Sequence, residues 1–240
     1  MSDYTPDEVM TVAAARELTD RTVCFVGIGL PSTAANLARL THAPRTVLVY
    51  ESGTIGSKPA TLPLSIGDGE LAETADAVVP VPEIFNYWLQ GGRIDVGFLG
   101  AAQIDRHGNL NSTVIGDYER PKVRLPGGGG APEIAAMAKE IIVIIRQSPR
   151  TFVDRLHFRS SAPGSGAMLV ISDLGALRLD PDDGELVLTR THPGVSVDQA
   201  RAETGWDLRV ADDLTETEPP NVEELRVLRG LRSALEKSTA

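Results

Sequence analysis

The chain has 240 residues, 42% of them apolar and 23% charged, an ordinary balance for a soluble globular protein with one sizeable core. Its net charge of −10 argues against binding through clustered Lys and Arg, so neither nucleic acid nor an anionic membrane surface is expected as a partner. The N-terminus lacks a basic segment leading into an apolar one, and no apolar run approaches the ~20 residues of a spanning helix, which together imply a cytoplasmic protein.

Thr5-Pro6-Asp7-Glu8 supplies an N-cap hydroxyl, a proline at the first helical position and a glutamate where a capping box needs it. Val9, Val12, Ala13 and Leu18 then recur at helical spacing. Thr22–Ile28 reads as a strand. It holds the lone cysteine, Cys24, which has no partner for an internal disulfide and reads as a buried thiol rather than a nucleophile. Gly27-Ile28-Gly29-Leu30-Pro31-Ser32 opens an Ala- and Leu-rich helix to about Leu40. Its Gly-x-Gly-x-x-Ser spacing lacks the third glycine of a dinucleotide fingerprint, so a glycine turn feeding a helix is the better reading than nucleotide binding. The helix N-terminus there can still attract an anionic group of some ligand.

Val47-Leu48-Val49-Tyr50 is β-branched and aromatic enough for a short strand buried on both faces, and it ends abruptly on Glu51 before the turn-forming Gly53 and Gly56. Glu51 is thereby expected at the carboxyl end of an inner strand, where open α/β sheets place their ligands. A carboxylate there is partly desolvated and costs free energy unless something nearby offsets it. A glutamate pointing into water, or paired with one of the 23 Lys and Arg residues, competes with the functional reading.

Ala77–Val81 follows as a strand, Glu83–Gln90 as a helix and Asp95–Leu99 as a buried strand. The segment after it sets Gln103, Asp105 and Asn109 on the strand-end side expected for Glu51, although Asp105-x-x-Gly108-Asn109 is also a good turn and Asp105 fits that role better. Gly127, Gly128, Gly129 and Gly130 form a run that opens into a helix over Ala131–Lys139. Ordering four glycines is entropically costly, which makes sense where backbone N–H groups approach a ligand closely, as in an oxyanion hole; a flexible hinge is the alternative. Ile141–Ile145 is a core strand. From Met168 onward Leu169-Val170-Ile171, Leu177-Arg178-Leu179 and Leu186-Val187-Leu188-Thr189 alternate with Asp/Gly turns and read as antiparallel strands, with closing helices at Val197–Glu203 and Val222–Leu235. His42, His107, His157 and His192 show no metal-ligand spacing, so no metal site is expected, and no Gly-x-Ser-x-Gly elbow occurs. The fold class implied is α/β, an open mostly parallel sheet flanked by helices with antiparallel strands toward the C-terminus, in one domain over residues 1–240.

Tyr50-Glu51-Ser52-Gly53, Leu99–Asn109, Ile115-Gly116-Asp117-Tyr118, the Gly127–Ala131 loop and Gly27-Ile28-Gly29-Leu30-Pro31 occur in an order and spacing that resembles the β subunits of family I CoA-transferases, the glutaconate and 3-oxoadipate branches above all. The resemblance implies that Glu51 is the covalent nucleophile, passing through an acyl–glutamyl anhydride to a glutamyl-CoA thioester. It further implies coenzyme A as a substrate rather than a permanently bound cofactor, succinyl-CoA as donor and 3-oxoadipate as acceptor. An α subunit is the implied partner, in an α2β2 assembly. Oxyanion donors would come from Gly127–Gly130, and Gln103 and Asn109 would orient the carboxylate or acyl oxygen. Arg93, Arg106, Arg120 and Arg124 are candidates for the acid's charge, and Phe85, Tyr87, Trp88 and Leu89 face either the partner or the core. The stretch Ala162–Met168 is shorter than the loop such proteins carry there. Competing readings are a CoA-thioester hydrolase of the same fold, a non-catalytic metabolite-binding module and, on Gly27 and Gly29 alone, a nicotinamide-dependent oxidoreductase.

Overall fold

The computed structural model describes residues 4–239. It forms two compact units, the first from the chain up to Phe98 joined by the segment from Pro220, the second from Leu99–Pro219.

In the first unit α1 (Pro6–Arg16) begins as the sequence implies: Thr5 Oγ1 accepts from the Glu8 N–H at 3.3 Å, and the Glu8 carboxylate accepts from the Thr5 N–H at 2.9 Å. After β1 (Val23–Val26) the Gly27–Gly29 turn feeds α2 (Leu30–Leu40). Then follow β2 (Val47–Val49), β3 (Thr54–Ile55), α3 (Gly69–Glu73) and β4 (Ala77–Val78), next α4 (Val81–Glu83), which runs on as a π-helix over Ile84–Leu89, and finally β5 (Val96–Leu99). β1 is central and parallel to both β2 and β5, whereas β3 and β4 add antiparallel at the far side of β2. The strand expected over Ala77–Val81 stops at Val78, because Pro80 and Pro82 have no N–H to give a ladder. The expected helix at 83–90 starts earlier, at Val81, and widens to π geometry.

The second unit holds two small hairpins, β6 (Gln103–Ile104) with β7 (Leu110–Asn111) and β8 (Val114–Gly116) with β9 (Pro121–Arg124). Its sheet runs through β10 (Glu140–Ile144), β11 (Ala167–Ile171), β12 (Gly175–Leu179), β13 (Leu186–Thr191) and β14 (Arg209–Glu216), with α5 (Ala131–Met137) and α6 (Val197–Ala202) between strands. β10 and β11 are parallel, β11–β12–β13 antiparallel as anticipated, and β14 lies parallel on β13. Ile141, Ile142, Val143 and Ile144 are all buried, which accounts for the unbroken apolar run of that strand. The short Ala162–Met168 stretch is held by hydrogen bonds from Gly164 N–H to Ala135 and from Ala167 N–H to Lys139. A Cβ on Gly164 would lie 2.1 Å from the Ala136 carbonyl oxygen, so glycine is what lets so few residues cross the end of α5.

α7 (Val222–Thr239) returns to the first unit and packs on α1 and α2. Asn221 and Glu224 form a second capping box at its start. Glu224 is also gripped at both oxygens by Arg16, at 2.7 Å each. Burial acts to raise the Glu224 carboxyl, yet Arg16 and the Asn221 N–H together hold it below the usual carboxylate range. Removing the arginine would leave the nearly buried Glu224 carboxylate without its charge partner, which destabilises the fold.

His192 is buried in the second unit, between the Ser172 carbonyl at 2.7 Å from Nε2 and the Thr217 hydroxyl at 3.0 Å from Nδ1. Burial, above all, pushes its pKa down to about 4 from 6.5. The unfolded chain's imidazole therefore takes up a proton near pH 6.5 while the folded one stays neutral until about pH 4, and stability falls as pH drops through that window. Denaturant melts at pH 7 and pH 4.5 are expected to show that His192→Gln, although less stable at pH 7, loses roughly 2 kcal/mol less between those two pH values than the parent chain. Equal losses would mean that His192 does not carry the acid sensitivity.

Candidate active site

The parallel register of β1 and β2 pairs Val23 with Val47, Cys24 with Leu48 and Phe25 with Val49, so β1 runs one residue past the end of β2. At the end of β1 the glycine turn is pressed close to β5, since a Cβ on Gly27 would lie 3.2 Å from the Phe98 carbonyl oxygen. Cys24 is fully buried and burial pushes its thiol far up, so it is no nucleophile.

At the end of β2 the chain turns at once. Gly53 N–H donates to the Tyr50 carbonyl and Tyr50 N–H to the Thr54 carbonyl, both at 3.0 Å, which leaves Glu51 and Ser52 as the two corner residues of a tight turn into β3. Gly53 has φ +105, and a Cβ there would stand 2.0 Å from the Val79 carbonyl oxygen. No side chain fits. The strand has Tyr50 as its inward anchor: this ring is fully buried, and its hydroxyl meets Ser32 Oγ at 3.4 Å. From Ser32 a chain of hydrogen bonds continues through Asn36 to Arg39 and from Arg39 to the Pro59 carbonyl at 2.8 Å. Burial pushes the Tyr50 phenol above its ordinary pKa, so the anchor is neutral.

Glu51 is half-buried on the tip of this turn. Beside it, Ser52 Oγ and Thr54 Oγ1 are buried and find no hydrogen-bond partner among the described residues. Unsatisfied buried hydroxyls are rare and destabilising; the Ser161 hydroxyl in the second unit is the third among the described residues. Nothing in the sequence singled out Ser52 and Thr54; their flanking of Glu51 was the available signal. Just beyond, Lys58 pairs with Asp76, whose carboxylate also closes over Gly56.

The other candidates lie in the second unit. The glycine run is tied down at its start, where Leu125 N–H donates to Thr113 and Gly127 N–H to Ser112 at 2.9 Å. Gly127, with φ +104, thus spends its N–H within the protein, while those of Gly128, Gly129 and Gly130 donate to no described group. Gly130 caps α5. Gln103 is buried, its oxygen accepting from Asn111 Nδ2 at 2.8 Å and from the His157 N–H at 3.2 Å. Asn111, unremarked in the sequence, is the hub here: its Oδ1 accepts from the N–H groups of Thr113 and Val114, the same turn that holds the glycine run. Asn109 is placed differently. Its backbone and side-chain N–H groups all serve the Asp105 carboxylate, closing the expected turn, and β6 pairs Gln103 with Asn111.

Of the arginines considered for acid binding, Arg106 pairs with Asp154 at 2.6 Å, Arg93 lies over the Tyr87 ring at 4.3 Å and Arg124 over Tyr118 at 5.0 Å. Among the aromatic candidates for a partner face, Phe85 packs on Phe25 and Leu89 is in the core. Tyr87 is 55% exposed, and Trp88 is half-buried. Among the described residues no group of three or more His, Cys, Asp or Glu converges as metal ligands, and no helix is long and apolar enough to cross a membrane.

The family model described as Coenzyme A transferase matches residues 8–202. The β subunit of 3-oxoadipate CoA-transferase from Pseudomonas knackmussii is 58% identical, over 97% of this chain and 95% of its own. The β subunit of glutaconate CoA-transferase from Acidaminococcus fermentans is 32% identical over 95% of this chain and 92% of its own. The crystal structure of that glutaconate enzyme superposes with a TM-score of 0.87, at 30% identity over 95% of this chain and 94% of that one. A crystal structure of the decarboxylase AibA/AibB gives 0.86 at 28% identity, covering 97% and 99%. The chain belongs to the Coenzyme A transferase family.

The turn itself is open to test. Gly53→Ala is expected to lower stability by about 1–3 kcal/mol from the backbone conformation alone, with the clash against Val79 added. Thermal unfolding of Gly53→Ala beside Gly92→Ala, which also has positive φ but nothing within 4 Å, separates the two effects. Equal losses would mean that the turn does not need its close contact with Val79.

Proposed function

We propose that this chain is the β subunit of a CoA-transferase that moves CoA from succinyl-CoA to 3-oxoadipate through a covalent thioester on Glu51. The observation that carries the reading is the placement of Glu51, half-buried on a rigid turn at the carboxyl end of an inner parallel strand. The 58% identity to a 3-oxoadipate CoA-transferase chain supports the choice of acceptor.

In the first step a Glu51 carboxylate oxygen attacks the thioester carbonyl. The tetrahedral intermediate collapses to an acyl–glutamyl anhydride and expels CoA as the thiolate. That thiolate then attacks the glutamyl carbonyl of the anhydride, giving glutamyl-CoA thioester and free succinate. The acceptor carboxylate next attacks the glutamyl thioester and again expels the thiolate, which finally attacks the new acyl carbonyl and restores the Glu51 carboxylate. Each tetrahedral intermediate bears an oxyanion. The N–H groups of Gly128, Gly129 and Gly130 are the donors with no other duty among the described residues, and losing one such donor typically costs about 3 kcal/mol of transition-state stabilisation. Gly127 shapes the loop instead. Gln103 orients the substrate through its amide N–H groups, and Asn109 through the one group its turn leaves over, the side-chain oxygen. A weak nucleophile such as a carboxylate gains from a site that excludes water, which also spares the anhydride from hydrolysis.

The working enzyme pairs this chain with an α subunit in the cytoplasm, as an α2β2 assembly. Tyr87, large and exposed on the first unit, is among the apolar side chains offered to that partner. The same fold carries a decarboxylase, and a hydrolase would use the same substrates, so the covalent adduct is the discriminating species. Intact and peptide mass spectrometry of the co-purified complex after succinyl-CoA is expected to show a CoA adduct on Glu51 that disappears on adding 3-oxoadipate. Glu51→Gln should form none and lose transfer by at least about a thousandfold while still assembling. Thioester consumption with no adduct would replace transfer by hydrolysis, and an adduct that survives 3-oxoadipate would reject that acceptor.

A further inference from the structure

A cleft of about 460 Å³ in the second unit has not been used so far. Its walls include Ala102, Ile115 and Val153, and its polar lining includes Gln103, Arg150 and His157. No Asp or Glu lines it, although the chain as a whole carries −10. Three observations converge on an anion. The Arg150 side chain is exposed and makes no ion pair or hydrogen bond among the described residues, unlike Arg93, Arg106 and Arg124. Gln103 is only 3% exposed, and both groups that bond it do so at its oxygen. One of them is a backbone N–H, which requires an acceptor, so the amide orientation is fixed and the NH2 is the end left without a partner. His157 accepts from the Gly116 N–H at Nδ1, at 3.2 Å, so the neutral ring carries its proton on Nε2 and is a donor there.

We propose that this cleft binds the carboxylate of a small organic acid, with Arg150 as the charge partner, the Gln103 amide as a second donor, and the acid's carbon chain lying against Ala102, Ile115 and Val153. The planar guanidinium fork matches a carboxylate, and the Gln103 NH2 is a donor that no described residue uses. His157 Nε2–H is the third donor. The proposal deepens the orienting role given to Gln103 and needs nothing of the covalent chemistry at Glu51, because binding is read without any CoA ester.

The probe is adipate, added to the full chain together with its partner, with 1,6-hexanediol as the uncharged analogue and inorganic phosphate as the competing anion. Adipate is expected to shift the NMR signals of the Gln103 side-chain NH2 while hexanediol does not, and calorimetry is expected to show weaker binding by about tenfold or more in Arg150→Met. Gln103→Glu keeps the oxygen that His157 and Asn111 use but replaces the donor with a negative charge, so it should weaken adipate at least as much. Arg150 is exposed and unpaired, so its replacement leaves folding intact and decides the matter even if Gln103→Glu fails to fold. Unchanged affinity in Arg150→Met, no shift at Gln103, or phosphate binding as tightly as adipate would each overturn the proposal.

Discussion

The closeness of Gly53 to the Val79 carbonyl oxygen sets the geometry of the first unit's site. Only a residue without Cβ lets β2 fold back onto β3 in so few residues while β4 hydrogen-bonds alongside, through the Val79 N–H to the Gly53 carbonyl. With Tyr50 bonded on both sides of its backbone and its ring sealed in the core, the corner residues have no freedom to slide. Glu51 is therefore presented at the tip as a consequence of packing elsewhere. The neutrality of the Tyr50 anchor matters too, because an anionic anchor would repel the carboxylate next to it. A buried ring, a strand pairing and a glycine contact together over-determine the turn.

The second unit solves a related problem with hydrogen bonds instead of apolar anchoring. Asn111 satisfies two successive backbone N–H groups, bonds Gln103 and reaches the Val114 carbonyl. Ser160 adds a hydroxyl that takes the Ser112 N–H and meets Thr113 Oγ1. These bonds fix the loop even though the neighbouring Ser161 hydroxyl is buried without a partner, since each one made offsets the cost of burying its groups. The consequence is that the glycine run leaves this scaffold from a rigid base at Ser112 and Thr113, so its flexible composition does not make it a hinge at that end. Its positive-φ residues are Gly127 and Gly129, the positions where a side chain would strain the backbone.

Much of this was legible in the sequence, and the reasons for the gaps are physical. Continuous apolar runs such as Ile141–Ile145 and Val96–Leu99 announce strands buried on both faces, and Thr5-Pro6-Asp7-Glu8 announces a helix start through local chemistry alone. β14 gave no such sign, because Arg209–Glu216 is an edge strand carrying Asp212, Asp213 and Glu216, and charge protects an edge without marking it as a strand. The two-residue strands β3, β6 and β7 are too short for any periodicity to register. Among the candidate residues, Glu51 and the glycine run stand out in the sequence itself because their residue types are conspicuous. Asn111, Ser52, Thr54 and Arg150 do not, because their significance lies in which neighbours they have or lack, and only the folded chain determines that. Asn109 shows the converse: an amide at a promising position turned out to have its N–H groups committed to Asp105.

An acidic chain that handles CoA esters and carboxylic acids faces a mismatch of sign, because its long-range field repels the molecules it must bind. Backbone N–H groups and side-chain amides are the donors that resolve this without adding a titratable charge, and they act only at contact distance, so they favour orientation over capture. Arginine adds capture, but only if its own protein does not neutralise it. Arg106 is held by Asp154 and Arg209 by Asp180 and Asp183, and their positive charge is largely cancelled before any ligand arrives. Arg150 has no such partner among the described residues, and the wall around it has no carboxylate. In a protein with ten more negative than positive side chains, one cation left uncancelled beside a buried amide is the local exception that lets an anion approach.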